Sequence, residues 1–262
     1  MPKKQTIGEP FVELDAVEST NTLAMRAASS RSALPGTVWF AHGQTAGKGQ
    51  RGRVWHSEPG TSLAMSILLE APFSDPSSGF PLSAATALAC LDALGETGVG
   101  DLTVKWPNDL YHGDRKMGGI LIENLVRGAD WTHAVVGIGI NVNQTRFDPS
   151  LPNPVSLLQA IGREQSPVVL ARTLCGKLES RLEDLKSKGV DATLEAFNER
   201  LHGKGRSLTF RRNGQAFVAT PVEVMKDGTL LLSCPPPNRF RHGELEWLPS
   251  NDDRAKGRDS AS

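Results

Sequence analysis

The sequence predicts an α+β protein: a central mixed, mainly antiparallel sheet flanked by helices, with a small β-barrel behind it. Three observations predict this. From Leu102 to Asn143, β-rich runs follow one another through short turns, with none of the repeated crossovers of a parallel fold. Leu170, Leu174, Leu178 and Leu182 recur every four residues, which puts one apolar stripe on a helix. From Ser207 to Leu248, short strands alternate with closely spaced turns, the pattern of a small barrel. At 262 residues the chain has room for one large domain and one small one. The composition changes near His202-Gly203-Lys204-Gly205, which divides it into residues 1–203, residues 204–249, and a polar, charged tail over 250–262 that reads as disordered.

In chain order, Pro10 to Val17 reads as a strand. Ser19-Thr20-Asn21 are three helix-capping residues ahead of an Ala/Leu/Met-rich helix over 22–30, and capping alone is enough to explain them. Pro35-Gly36 turns the chain into a strand over 37–41, and 61–69 is a further strand. Pro, Ser and Gly punctuate 72–81, and Leu82 to Leu94 is a buried helix, with Leu88, Leu91 and Leu94 at helical spacing. Leu102 to Trp106 is a strand ended by Pro107. Strands at 108–111 and 115–123 flank His112-Gly113-Asp114, a three-residue hairpin loop; a turn at 127–130 leads to a strand over 131–140. Gly118-Gly119 and Gly137/Gly139 weaken these strands and mark places where something approaches the backbone closely. Residues 145–167 read as a connecting loop with a short helical turn at 155–161. Ser166-Pro167 starts the leucine-striped helix, Gly189 ends it, and Asp191 caps a shorter one reaching Leu201. The C-terminal strands are 207–211, 216–224, 229–234 and 240–247, with turns at Asn213-Gly214, Asp227-Gly228 and 235–238.

Lys+Arg and Asp+Glu balance at 29 each, so no global basic field argues for nucleic-acid binding. Cys90, Cys175 and Cys234 are far apart and odd in number, which indicates neither a zinc site nor a disulfide framework and fits a reduced cytoplasm. The N-terminus has no apolar signal segment, no apolar run approaches the roughly 20 residues of a membrane helix, and the histidines show no metal-binding spacing. The expectations are a cytoplasmic protein with no membrane, no nucleic acid and no metal held by side chains.

Against this neutral background, residues 43–55 hold four glycines, the cations Lys48, Arg51 and Arg53, and no acid. Glycines let a backbone curl and its N–H groups form an anion nest, and arginine adds a fork for phosphate or carboxylate. Gly47 to Gly52 spells the dinucleotide fingerprint G-x-G-x-x-G, but no helical period follows it, and Pro59-Gly60 breaks the chain. A P-loop fails too, because only three residues separate Gly43 from Gly47-Lys48. A flexible solvated loop is the plain alternative.

The loop and the 102–143 stretch together resemble the biotin–protein ligases. The family's loop G-R-G-R-x-G-R-x-W matches Gly47-Lys48-Gly49-Gln50-Arg51-Gly52-Arg53-Val54-Trp55. Its K-W-P-N-D matches Lys105-Trp106-Pro107-Asn108-Asp109, and its R-K-x-x-G-I-L-x-E matches residues 115–123. Its G-x-G-x-N matches residues 137–141, and its S-T-N matches Ser19-Thr20-Asn21. The resemblance implies a class II synthetase-like catalytic domain, an SH3-like C-terminal domain, and ATP-dependent transfer of biotin, through biotinyl-5′-AMP, to a lysine of a biotin carboxyl carrier domain of a carboxylase. It implies that Lys116 bridges the biotin carboxylate and the α-phosphate, and that Arg53, with Arg51 second, holds phosphate oxygens. Mg²⁺ would bridge the ATP phosphates. Ser19, Thr20, Asn21 and Gln44 would meet biotin; Gly118 and Gly119 would let a strand lie against the ligand; Trp55 and Asn141 would face the adenylate. Gly47, Lys48, Gly49, Gln50 and Asn108 complete the binding set. Asp109 would orient the incoming lysine amine or accept its proton; a turn residue after Pro107 is its plain alternative.

Two positions depart from the family: Lys48 and Gln50 stand where arginine is common, which bears on how firmly the loop holds the intermediate. The S-T-N match begins at residue 19, which predicts no N-terminal DNA-binding domain and no repressor function. Monomer and homodimer both stay open. Lipoate–protein ligase or octanoyltransferase shares this type of fold, but its R-R-x-x-G-G-G-x-V-x-H-D string is absent. A non-catalytic biotin or nucleotide sensor is the other alternative, against which Lys116 and Arg53 count.

Overall fold

Strands β1 (Phe11–Val17), β2 (Val38–Gln44), β3 (Ser62–Glu70), β4 (Leu102–Lys105), β5 (Asp109–His112), β6 (Arg115–Arg127) and β7 (Asp130–Asn141) form one sheet in the order β1-β2-β3-β7-β6-β5-β4. The computed structural model describes residues 6–56, 58–72, 79–128 and 130–248. Most of the 72–81 punctuation, Ala129 of the turn at 127–130 and the whole 250–262 tail lie outside them. The pairing β1–β2 is parallel, and the others in this sheet are antiparallel, as expected of a mixed, mainly antiparallel sheet.

The β1–β2 crossover is helix α1 (Thr20–Ser30), two residues longer at its start than its composition suggests. Ser19 is its N-cap and accepts the Thr22 N–H, while Thr20 and Asn21 are the first helical residues and their side chains bond elsewhere, so capping explains one of the three. Strand alternation assigns two faces. On β3, Leu63, Met65, Ile67 and Leu69 point into the main core, while Leu68 meets Ala24 and Ala28 of α1 on the other side. The main core is closed by α2 (Phe80–Gly95) and α4 (Pro167–Glu199), joined by a bidentate pair from Arg181 to Asp92 at 2.7 and 2.9 Å. Short helix α3 (Leu157–Ile161) starts from a capping box between Ser156 and Gln159. Within α4, Gly189 leaves helical geometry at φ 87°, so the expected break is there. Asp191, expected as a cap, pairs with Lys226 at 2.7 Å instead.

The C-terminal strands β8 (Leu208–Arg212), β9 (Gln215–Val224), β10 (Leu230–Ser233), β11 (Arg239–Phe240) and β12 (Glu246–Trp247) form an antiparallel sheet in the order β11-β10-β9-β8-β12, consistent with an SH3-like unit. Asn213 and Gly214 both have positive φ, as their two-residue hairpin requires. The sheet curls around Phe210, Phe217, Phe240 and Trp247. The single strand expected over 240–247 is broken in two. Gly243 sits at φ 90° and the Glu244 N–H donates to the Arg241 carbonyl, which makes a turn of 241–244.

The two sheets meet along a polar and aromatic seam. Asn198 exchanges two hydrogen bonds with the Val224 backbone, and the Trp106 indole N–H donates to the Gly228 carbonyl. Residues 200–202 continue the ladder beyond β4, so that edge is covered. His202, 6% exposed, meets Thr103 and Asp114 there. Burial, then Arg206, lowers its imidazole from 6.5 to about 4. The unfolded chain binds a proton between these values that the folded protein does not, so stability is full above pH 6.5 and falls as pH drops towards 4. His202→Asn is expected to flatten the acid side of a Tm–pH curve; an unchanged slope in that window assigns the acid loss to other groups.

Candidate active site

The β6–β7 ladder is the floor of a cleft of about 660 Å³. Opposed residues share a face, so Gly119 with Gly139, Leu121 with Gly137, and Asn141 line one side. The glycines leave the sheet bare there, but the chain fills two of the gaps itself. A Cβ on Gly137 would overlap the Asn21 side-chain amide, and one on Gly139 would lie 2.6 Å from the Trp55 ring. Close approach was expected of these glycines; the approaching groups are Asn21 and Trp55.

Around Asn21 lies a buried polar network. The Thr20 N–H donates to Gln44 Oε1 at 2.8 Å, and the Thr20 hydroxyl meets the same oxygen at 3.2 Å. Ser66 Oγ lies 2.5 Å from Asn21 Oδ1, whose Nδ2 donates to Glu123 Oε2 at 2.9 Å. Asn21 and Thr20 are 4% and 3% exposed, so these groups are paired in advance of any ligand.

At about 3.3 Å per residue along β6, Lys116 stands five positions before Leu121. Plain alternation would put Lys116 on the face of Gly118 and Ile120, towards the helices. A bulge prevents this. Leu110 pairs with Gly118 but Tyr111 pairs with Lys116, so Met117 is the extra residue. Lys116 is thereby re-aimed onto the cleft face, where Nζ lies 2.6 Å from Asp109 Oδ1. The connecting loop pins the bulge: Lys116 N–H donates to Asn153 and its carbonyl accepts from Val155. Asn108 fixes the other side, donating to the Ile120 carbonyl at 2.6 Å. Asn141 donates to the Val155 carbonyl.

Beside this pair, Lys105 donates to Tyr111 Oη at 3.1 Å, with its ammonium 5.0 and 5.4 Å from the Tyr111 and Trp247 ring centroids. Burial, with Lys116 and Arg53 nearby, pushes Lys105 below the usual lysine range, against the pull of Asp109. Trp55 and Trp247 each bury an indole N–H that has no hydrogen-bond partner among the described residues.

The cationic loop folds over the cleft as a narrow hairpin. Gly49 N–H donates to Arg53, Trp55 N–H to Gly47, and Lys48 bridges to Val54. The amides of Gly49, Arg53 and Trp55 close the loop on itself, so these three are not available to an anion nest. Of the loop glycines only Gly52 has positive φ, next to Arg51 at φ 55° in a 3-10 turn over Gln50–Gly52. Gly47 is required for another reason: a Cβ would lie 2.5 Å from the Trp55 carbonyl. Two contacts hold the hairpin down, Lys48 to Glu123 at 3.9 Å and Arg51 to the His242 carbonyl at 2.8 Å.

The sequence profile of the Biotin/lipoate A/B protein ligase family matches residues 13–141. Over 230 residues the chain is 30% identical to the bifunctional ligase/repressor BirA of Escherichia coli (strain K12), covering 87% of this chain and 70% of BirA. The chain belongs to the biotin–protein ligase family. It is also 34% identical over 161 residues to the biotin–[acetyl-CoA-carboxylase] ligase of Paracoccus denitrificans, covering 59% of this chain and 65% of that protein. The biotin protein ligase from Aquifex aeolicus in complex with biotin and ATP superposes with TM-score 0.77 at 24% identity, over 92% of this chain and 99% of that one, a likeness of fold.

For a biotin–protein ligase, the residues singled out in the sequence converge well. Ser19, Thr20, Asn21, Gln44, Arg53, Trp55, Asp109, Lys116, Gly119 and Asn141 line one cleft, together with Lys48, Gly49, Gln50, Arg51 and Asn108. Gly47 and Gly118 do not. Gly118 is turned the other way, where a Cβ would lie 2.6 Å from the Gly139 carbonyl, so it serves strand packing. Sequence reasoning missed the cleft residues Lys105, Tyr111, His242 and Trp247. Lys105 sat inside a matched motif and Tyr111 is the single tyrosine, but nothing local marked His242 or Trp247.

Proposed function

We propose that the chain catalyses ATP-dependent biotinylation of a lysine on a biotin carboxyl carrier domain of a carboxylase, through biotinyl-5′-AMP. The observation that carries this reading is the bulge that brings Lys116, paired with Asp109, into the same cleft as Arg53 and the Thr20–Gln44 network. Attack of the biotin carboxylate on the α-phosphate brings two anions together, and Lys116 offsets their repulsion and the charge that grows between them. Arg53 holds phosphate oxygens through its fork. The Thr20, Asn21 and Gln44 groups orient biotin's polar head, and the closed hairpin keeps water from the mixed anhydride. We assign catalysis to residues 1–203 and treat 204–249 as a separate SH3-like domain that completes the cleft.

Among the described residues no group of three or more His, Cys, Asp or Glu could hold a metal, and Asp109 already carries Lys116. This donor set fits magnesium arriving on the ATP phosphates with water in its shell, where it would supply positive charge. No helix among the described residues is long and apolar enough to cross a membrane. The three cysteines are free, which supports the cytoplasmic assignment.

The deciding measurement is pyrophosphate release with ATP and magnesium, comparing biotin, lipoate and octanoate, followed by transfer to a carrier domain. Release with biotin alone supports the proposal. Release only with lipoate moves the chain to the related ligases, and biotin binding without release makes it a sensor. Gln50 bears on the second stage. An uncharged amide cannot pair with the intermediate's phosphate as arginine does, and the hairpin's own ties are two partly exposed contacts. Gln50→Arg is expected to slow release of biotinyl-AMP by about tenfold, the equivalent of one charge-assisted hydrogen bond; an unchanged release rate removes Gln50 from the retention step.

A further inference from the structure

Transfer of an acyl group to a carrier lysine needs a base, because an ammonium has no lone pair with which to attack. The cleft residues with basic atoms are few. Asp109 is tied to Lys116 at 2.6 Å, and a proton placed on it would strand that ammonium. Lys105 is spent on Tyr111 Oη and on two aromatic faces. Glu246 pairs with Arg211 at 2.9 Å. His56 lines the cleft beside Trp55, but it is exposed and also opens onto a neighbouring groove, so nothing fixes its ring.

His242 is different. It lines the cleft from the turn between β11 and β12, which is held by Arg241 N–H to Glu244 Oε2 at 2.8 Å and by Glu244 N–H to the Arg241 carbonyl. Its ring stands edge-on to Trp106 at 6.1 Å and 84°, and Trp106 is itself anchored through its N–H to Gly228. Its carbonyl seats Arg51, which only glycine at 243 permits, since a Cβ there would overlap the guanidinium. The backbone of His242 is therefore fixed from two directions. Neither ring nitrogen has a hydrogen-bond partner among the described residues.

We propose that His242 is the general base of the transfer step, taking a proton of the carrier lysine's ammonium; this rests on the ligase reading above. His242 takes one proton from the lysine ammonium, and the freed lone pair attacks the biotinyl acyl carbon. The new C–N bond forms, the acyl C–O bond to phosphate breaks, and AMP leaves with that electron pair, its phosphate oxygen taking the second N–H proton. Asp109, near enough to affect His242 electrostatically, is placed to orient the ammonium beforehand. The charged groups acting on His242 are Arg51 and Arg53 from the hairpin and Asp109 from β5; in its own turn, Glu244 is taken up by the Arg241 N–H. Burial, then Arg51, holds the imidazole below the usual histidine range, so it is neutral and ready to accept at pH 7.

The test separates the half-reactions, using the apo carrier domain of an acetyl-CoA carboxylase as acceptor. His242→Gln is expected to leave biotin-dependent pyrophosphate release within about twofold and to lower single-turnover transfer from preformed biotinyl-AMP by about 10²-fold at neutral pH. In His242→Ala, added imidazole is expected to restore transfer without changing pyrophosphate release. The wild-type transfer rate should lose its acid limb, below about pH 6.5, in both variants, while His56→Gln keeps it. Equal losses in both half-reactions, no response to imidazole, or transfer within twofold of wild type would each overturn the assignment. Absence of biotin-dependent pyrophosphate release in the wild type would instead overturn the ligase reading itself.

Discussion

Lys116→Ala is expected to lower biotin-dependent pyrophosphate release by about 10³-fold while the protein stays folded. A unit charge about 4 Å from the reacting oxygens, at the effective dielectric of a partly solvated site, is worth about 4 kcal/mol, which is about three powers of ten in rate. The fold does not depend on this side chain. The main-chain bonds of Lys116 to Asn153 and Val155 pin the bulge and survive the substitution. Asp109 is left without its partner, but at 26% side-chain exposure it reaches water. Tm should therefore move by only a few degrees, as for a surface change. Biotin binding alone, followed by calorimetry, should change far less than pyrophosphate release, because the cation acts where charge grows. Release within about threefold of wild type would take Lys116 out of the chemical step.

The motifs were legible because each is local. Ser19 of the S-T-N run caps its own helix, K-W-P-N-D spans one strand end and turn, and the glycine-rich hairpin closes on itself within residues 47–55. The β-rich runs that become β3 and β7 and the leucine stripe of α4 likewise follow from neighbours in sequence. What the sequence left hidden depends on distant partners. The bulge at Met117 is a mismatch between β5 and β6, and no single-strand pattern distinguishes it from an ordinary alternating run. The groups that cover Gly137 and Gly139 are 116 and 84 residues away, at Asn21 and Trp55, so the glycines announced a close approach without naming the visitor. Residues 240–247 have good strand composition, and the turn at Gly243 is held by Arg241 and Glu244 within it and by the distant Arg51 on the His242 carbonyl. The loop glycines misled in another way. Positive φ is the commonest demand on glycine, but at Gly47 the demand is for space against a carbonyl.

Gly137→Ala is expected to weaken biotin binding by about 10²-fold and to lower Tm, although alanine adds one methyl group. The methyl would overlap the Asn21 amide, which cannot step aside cheaply. Asn21 is 4% exposed and bonded to Ser66, Glu123 and the Leu121 carbonyl, and Ser66 is fully buried. Displacing the amide leaves buried polar groups unpaired at about 1–3 kcal/mol each. It also shifts the first turn of α1, where the Thr20 N–H holds Gln44. Two such bonds lost, at about 1.4 kcal/mol apiece, give the 10²-fold expected. Gly139→Ala is the contrast: its methyl meets the Trp55 ring, whose indole N–H has no hydrogen bond to lose, so stability should fall less. The double variant Asn21→Ala with Gly137→Ala separates the two effects. Truncating Asn21 removes the overlap, so the second substitution should then cost almost no stability, while biotin binding stays weak because the amide is gone. If Gly137→Ala binds biotin within threefold of wild type and melts normally, Asn21 has room to move and the network is not preformed. If the double variant recovers binding as well as stability, the network is packing only, and biotin's polar head is held elsewhere.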